Sequence, residues 1–264
     1  MPSPSATDRP RGTALVTGGR RGIGRAICKA MALADFDVAV TDVVAPEEAE
    51  ATLSDIAGAG RKGRYFRRDI AETVDNGAFV EAVERALGPI DCLVNNAGIQ
   101  VAVRGDLLAV TEESFDRLIA TNLRGTFFLT QAVARAMVAR TKAPAQRSVI
   151  TITSANAALV SPEKGPYGIS KAGLSMASQQ FAVRLAEAGI QVHEIRPGLI
   201  RTDMTASVDD TYSPLVESGA ISPVRRWGEP EEIAQAVVTL ATGALPFSTG
   251  DIFHVGGGMH IHRL

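Results

Sequence analysis

The chain has 264 residues, 45% apolar and 21% charged, enough to bury a core and too balanced for a disordered or fibrous protein. Its formal net charge of -2 excludes the broad electropositive surface that nucleic-acid binding needs. No apolar run reaches the roughly 20 residues of a membrane span.

The opening stretch MPSPSATDRPR is rich in Pro, Ser and charge and lacks the apolar segment of a secretory signal. Residues 1–11 are therefore expected to form a disordered N-terminal arm and residues 12–264 a single domain, in a cytoplasmic protein. Cys28 and Cys92 have no CxxC or His spacing that could build a metal site, and they read as small core residues in a reducing compartment.

From Thr13 onward, short apolar runs alternate with longer amphipathic segments. TALVT, Thr13 to Thr17, is the first predicted strand, and a helix over Ile23 to Ala34 follows. DVAVTD ending at Asp42 precedes a helix over Glu47 to Ala57, and GRYFRRD ending at Asp69 precedes one over Val74 to Leu87. DCLVNN, ending at Asn96, leads to a long helix from Glu112 to Ala139. RSVITITS, ending at Ser154, leads to another from Tyr167 to Ala188. IQVHEIRP ends at Pro197; an irregular stretch from about Ile200 to Arg226, a helix over Pro230 to Ala241 and a last strand, DIFHV near Asp251, complete the chain. A loop as long as that stretch is usually a lid or binding loop. Several strands are apolar on nearly every residue, as strands buried on both faces are. Seven such strands with right-handed crossovers predict an α/β fold: a Rossmann-type doubly wound seven-stranded parallel sheet with helices on both faces.

Directly after the first strand, TGGRRGIG spans Thr17 to Gly24 and runs into the helix that begins near Ile23. Gly18, Gly22 and Gly24 let the backbone turn tightly and approach a pyrophosphate, whose charge the helix start favours. A glycine-rich turn can also connect a strand to a helix with no ligand. Here it is followed by Asp42 at the tip of the second strand, 18 residues past Gly24. A carboxylate at that tip can accept hydrogen bonds from the adenosine ribose and repels a 2′-phosphate, so NAD is expected in preference to NADP. Arg20 and Arg21 stand against this as candidate phosphate partners. Asp69 could bond the adenine amino group with Ile70 on the ring; a turn or helix cap is the plain alternative for Asp69.

Farther along stand NNAG at Asn95 to Gly98, Asn122, Ser154, YGISK at Tyr167 to Lys171 and PGLIRT at Pro197 to Thr202. Ser154 precedes Tyr167 by 13 residues and Lys171 follows it by four. With TGGRRGIG, this ordered set resembles the short-chain dehydrogenase/reductase family in its single-domain branch. The pattern is most similar to the group of 3-oxoacyl-acyl-carrier-protein reductases. The spacing has its own logic: residues four apart share a helix face, so the Lys171 ammonium can lie near the Tyr167 phenol. A phenol is a poor base at neutral pH; a nearby cation, together with a positive nicotinamide ring, favours the phenolate. Ser154 would face the same crevice, at the strand ends where ligands bind in such sheets.

The resemblance implies a division of roles. Tyr167 is the general acid/base, Lys171 holds the nicotinamide ribose and tunes the tyrosine, Ser154 orients the carbonyl or hydroxyl, and Asn122 supports a water-linked proton path to Lys171. Hydride passes directly between substrate carbon and nicotinamide. Asn96 and Ala97 lie beside the adenosine ribose, and Gly98 keeps the pocket floor open. Pro197 and Gly198 lead a segment along the nicotinamide, with Ile200 and Thr202 near its carboxamide.

The substrate is less legible. The reductases of that group commonly use NADPH, and often carry a basic residue for carrier docking where this chain has Phe128; Arg184 could still serve. An NAD-dependent sugar or polyol dehydrogenase is the alternative enzyme. A non-catalytic dinucleotide-binding regulator is the alternative of another class, although such proteins usually lose the tyrosine or lysine. The expected pocket is bounded by Ala155 and Asn156, the loop from Gln100 to Arg104, Glu163 and Lys164, and a lid from Met204 to Trp227. Arg225, Arg226 and Trp227 either attract an acidic substrate or form a surface turn. His254, His260 and His262 lack accompanying ligands for a metal, and the tail is expected to pack against a neighbouring subunit. The expected partners are thus a small-molecule carbonyl or alcohol and, from the family, copies of the chain in a homotetramer.

Overall fold

Gly12–Thr17 (β1), Phe36–Asp42 (β2), Gly63–Arg67 (β3), Ile90–Asn95 (β4), Arg147–Ile152 (β5), Ile190–Pro197 (β6) and Ile252–Val255 (β7) form one sheet. Its order is β3-β2-β1-β4-β5-β6-β7, with every neighbouring pair parallel. The structure, a computed structural model, describes residues 10–140 and 146–262, so most of the expected N-terminal arm lies outside the described residues.

Alternation along the strands assigns side chains to the two faces. Ala14 and Val16 on β1, Val38 and Val40 on β2, and Cys92 and Val94 on β4 join one core cluster. Their neighbours Leu15, Ala39 and Leu93 join the other. The first cluster is closed by Gly22–Leu33 (α1), Glu50–Gly58 (α2) and, from the other end of the chain, Pro230–Ala241 (α9), through Ile27, Met31, Ile56, Ile233 and Val237. The second is closed by Asn76–Leu87 (α3), Thr126–Ala139 (α5) and Gly165–Leu185 (α6), through Phe79, Val83, Leu129, Met137 and Leu185. The doubly wound sheet read from the sequence is the fold observed. No helix among the described residues is long and apolar enough to cross a membrane.

Winding runs outward from β1 to β3, then returns through α3 to place β4 beside β1. The chain leaves these two strands in opposite directions, which opens a crevice at their carboxyl ends. Three strand ends differ from expectation, β4 by one residue, since it stops at Asn95. β3 stops at Arg67 and β5 at Ile152, so Asp69 and Ser154 lie just past the sheet, on its carboxyl side. The expected long helix from Glu112 to Ala139 is continuous in path but not in type: Glu112–Leu118 (α4) passes into a π-helical segment, Ile119–Gly125, before α5 begins. A π segment carries more residues per turn and is often found at functional sites. Here it turns Asn122 fully inward, at 0% exposure, and Gly125 packs so closely on Ile70 that a Cβ would stand 2.3 Å from the Ile70 carbonyl oxygen. The expected lid contains two short helices, Asp203–Ala206 (α7) and Asp209–Glu217 (α8).

Candidate active site

The glycine turn is held from both sides of the crevice. Gly18 and Gly22 adopt φ of 64° and 52°, the left-handed region where other residues are strained. Gly24 lets α1 sit directly on the turn: a Cβ there would meet the Gly18 carbonyl oxygen at 2.0 Å. Asn96 donates from Nδ2 to the carbonyls of Thr17 and Gly18, each at 3.0 Å, and the Thr17 hydroxyl accepts from the backbone N–H of Asn96 and Ala97. No side chain caps α1 and no acid occupies its first turn, so the helix start, where Ile23 lies, presents free N–H groups to an anion. This cradle fits a pyrophosphate.

The other expected cofactor contacts separate into two sets. Asp42, half-buried at the tip of β2, accepts from the backbone N–H of Val43. Gly98 lies under the site, where a Cβ would come within 3.4 Å of Lys171 Nζ. Thr202 faces the glycine turn, its Cγ2 3.5 Å from where a Gly22 Cβ would be. By contrast, Asp69 is exposed and its Oδ1 caps a turn through the N–H of Ala71. Ile70 is 5% exposed and Ile200 4%, each packed in a core cluster. Pro197 is buried in β6, and Gly198 is a close-contact glycine, with Gly256 Cα 2.6 Å from a virtual Cβ.

At the ends of β4 and β5 the candidate catalytic groups converge. Tyr167 and Lys171, on α6, are 8% and 4% exposed, and the lysine Nζ lies 5.8 Å from the centre of the tyrosine ring. Burial pushes the Tyr167 phenol above its ordinary pKa, and a hydrogen bond from the Ser154 side chain pulls it part of the way back. Ser154 also caps the 3-10 turn Ala155–Ala157 by accepting from the N–H of Asn156 at 3.1 Å. Lys171 donates to the Ile152 carbonyl at 3.1 Å, the last residue of β5. Asn122 accepts from the N–H of Ile99 and donates to the Ile99 carbonyl and to Ser170, whose hydroxyl in turn donates to the Tyr167 carbonyl. Ser154, Tyr167, Lys171 and Asn122 are thus brought to one place.

Sequence reading missed a charge cluster beneath them. Glu194 on β6, 2% exposed, accepts from Thr153 Oγ1, Ser175 Oγ and Arg196 Nε, each at 2.6 Å. Thr153 precedes Ser154, and Ser175 is one helical turn past Lys171. An available signal was the acid and base two apart in IQVHEIRP, which must share a sheet face.

A family model described as enoyl-(acyl carrier protein) reductase matches residues 18–260. The 3-oxoacyl-[acyl-carrier-protein] reductase FabG of Escherichia coli is 35% identical over 251 residues, covering 94% of this chain and 97% of that protein. FabG of Staphylococcus epidermidis is 34% identical over 252 residues, covering 94% and 99%. A crystal structure of a 3-oxoacyl-[acyl-carrier protein] reductase from Brucella melitensis in complex with NAD is 48% identical. It superposes with a TM-score of 0.93 over 97% of this chain and 100% of that one.

The chain belongs to the short-chain dehydrogenase/reductase family. It is an NAD(P)-dependent oxidoreductase acting on carbonyl or CH–OH groups. Several peripheral residues of this dehydrogenase/reductase have structural duties. Arg226 forms a two-pronged pair with Glu232, and Trp227, 5% exposed, donates to the Ser213 hydroxyl, so the Arg225 to Trp227 trio is largely the surface turn before α9. His254 and His260 stack with ring centres 3.9 Å apart. Among the described residues no three His, Cys, Asp or Glu side chains group as metal ligands. Cys28 and Cys92 are buried and free, and burial pushes the Cys92 thiol up to about 12.

Burial pulls Lys171 down to about 8, against a partial upward effect of Glu194. The unfolded chain therefore holds this proton more tightly, and the penalty for burying the ammonium is full below about pH 8 and fades toward 10.5. Lys171→Met should gain stability over the parent mainly below that window. The gain, on the order of 1–3 kcal/mol, should shrink as pH rises through it. Urea unfolding of both proteins at pH 7 and pH 10 reads this directly; a gain independent of pH would contradict it.

Proposed function

We propose that this enzyme is a 3-oxoacyl-(acyl-carrier-protein) reductase-like oxidoreductase that uses NAD, in which Tyr167 exchanges the proton at the substrate oxygen. The observation that carries this reading is the convergence of Tyr167, Lys171 and Ser154 beside the glycine turn. A bound nicotinamide supplies or accepts the hydride. Ser154 orients the substrate oxygen toward the phenol, Lys171 holds the ribose side of the site, and Asn122 fixes the backbone of Ile99 and, through Ser170, the first turn of α6. A phenol kept protonated by burial starts the cycle as an acid, which suits reduction of a carbonyl. Residues 12–264 act as one catalytic and dinucleotide-binding unit, in the cytoplasm.

The preference for NAD rests on the charges around the second strand tip. Arg20 is paired with Glu48 at 3.1 Å and Arg21 with Asp203 at 3.1 Å, so each of the two candidate phosphate partners carries its own carboxylate. Beyond the effect of burial, Asp42 and Glu48 both raise the pKa of nearby Tyr65, an effect that Arg20 and Arg67 oppose, so two carboxylates near the second strand tip support that preference. The Brucella melitensis relative, crystallised with NAD, supports the same choice.

A stripe of exposed apolar residues on α6, Ile169, Met176 and Val183, with Phe128 on α5, supports a homotetramer built on these helices.

Tyr167→Phe should lower turnover at least about 100-fold while leaving cofactor affinity, read by NADH fluorescence, largely intact. Turnover near the parental rate would remove Tyr167 from its role. Asp42→Ser should shift the ratio of kcat/KM for NADPH over NADH upward by about tenfold, the effect of relieving one close like-charge contact. A parent that already prefers NADPH would overturn the assignment of NAD. Light scattering of the purified chain should give four subunits, and Met176→Glu with Val183→Glu should give smaller species; a monomeric parent would exclude the assembly.

A further inference from the structure

We propose that Arg104 and Lys164 form an anion-binding subsite at the mouth of the crevice, which takes a carboxylate carried by the substrate a few bonds from its reacting carbon. The proposal rests on the oxidoreductase reading of Tyr167 and departs from the reductase-like reading in substrate class: a free oxo or hydroxy acid in place of a carrier-bound 3-oxoacyl thioester.

Placement comes first. Lys164 ends the 3-10 turn Pro162–Lys164, three residues before Tyr167. Its ammonium donates to Asn156 Oδ1 at 3.1 Å, Asn156 donates its backbone N–H to Ser154 Oγ at 3.1 Å, and the Ser154 side chain is bonded to the Tyr167 phenol. A continuous run of polar contacts therefore leads from the reacting tyrosine to this cation. Arg104 stands on the loop after Gly98, near enough to act electrostatically on Lys164. The backbone N–H of Gly105 donates to the Glu163 carbonyl at 3.3 Å, which ties together the immediate neighbours of the two cations. The join is reinforced where Leu107 packs on Gly165, so closely that a Cβ there would meet its Cδ1 at 2.4 Å.

Charge is the second observation. Neither cation has a carboxylate within 4.0 Å among the described residues. Burial and the neighbouring Arg104 both lower the Lys164 pKa, and exposed Glu163 offsets this only in part. Two like charges held together in a partly desolvated mouth repel unless an anion joins them. Asn156 offers Lys164 a neutral acceptor, Oδ1, and no charge, while its Nδ2 donates to the Leu159 carbonyl. A guanidinium fork beside an ammonium matches the two oxygens of a carboxylate. Because Lys164 is so close in the chain to Tyr167, that carboxylate belongs near the carbonyl, not at the far end of a long carrier.

The test compares matched substrates: 3-hydroxybutyrate and 2-hydroxybutyrate, their methyl esters, and 3-hydroxybutyryl-CoA, oxidised with NAD by the parent, Arg104→Gln and Lys164→Gln. The parent should prefer a free acid over its ester by about tenfold in kcat/KM, and each variant should bring that ratio toward one. A parent that favours the ester, or variants that keep the ratio, would overturn the subsite. A preference for the CoA thioester that depends on both cations would also overturn it, because the anion would then be a carrier phosphate. Binding of malonate, which cannot be oxidised, is read separately by thermal shift with NAD present. Stabilisation lost in both variants supports the subsite even where no panel member turns over, an outcome that counts against the Tyr167 reading alone. Absent or variant-independent malonate binding overturns the subsite whatever turnover shows.

Discussion

Lys171 carries an ammonium into the interior with 4% of its surface exposed, and the arrangement of this active site follows from how that charge is accommodated. An isolated buried charge costs several kcal/mol, so it must be met by acceptors and opposite charge. The Ile152 carbonyl supplies the acceptor at the end of β5, and Glu194 supplies the charge from β6. Glu194 is itself held by Thr153, Ser175 and Arg196, so one carboxylate joins the end of β5, the strand β6 and the helix α6. Ser154 is the next residue after Thr153, and Tyr167 lies one turn before Lys171. The distance between the serine and the tyrosine is therefore set largely by a carboxylate that touches neither.

Fold and cofactor turn were legible because they depend on local periodicities. Near-continuous apolar strands, amphipathic helices and glycines at fixed offsets can each be read within a dozen residues. The features that escaped join distant parts of the chain. Thr17 receives two N–H groups from residues 79 and 80 positions later, and Asn95 donates to Thr130, 35 positions later. Strand ends were misplaced for a related reason: nothing in GRYFRRD or RSVITITS marks the last paired residue, whereas in the fold Asp69 and Ser154 accept from their own following backbone beyond the ladder. The π segment was invisible to a helical period, although Asn122 within the long helix marked the spot.

Charged residues show the same limit most clearly. Arg20 and Arg21 read as free cations beside a cofactor phosphate, yet their partners, Glu48 and Asp203, come from 28 and 182 positions away. Once paired with those carboxylates they contribute little net positive charge beside the glycine turn. A cation seen in sequence is evidence for an anion site only after its carboxylate partners have been sought in space. Arg226 fails that test through Glu232, whereas Arg104 and Lys164 pass it among the described residues.

The two buried titratable groups of the centre are displaced in opposite directions, the phenol upward and the ammonium downward. Both shifts have one cause, since a medium that excludes water disfavours the phenolate and the ammonium alike. From the sequence, the lysine and a positive nicotinamide ring together were the two charges expected to favour the phenolate. In the chain by itself desolvation is the larger influence on the phenol, and what lowers it is the Ser154 bond. In the proposed mechanism the group that orients the substrate oxygen is thus also the one that eases release of the tyrosine proton.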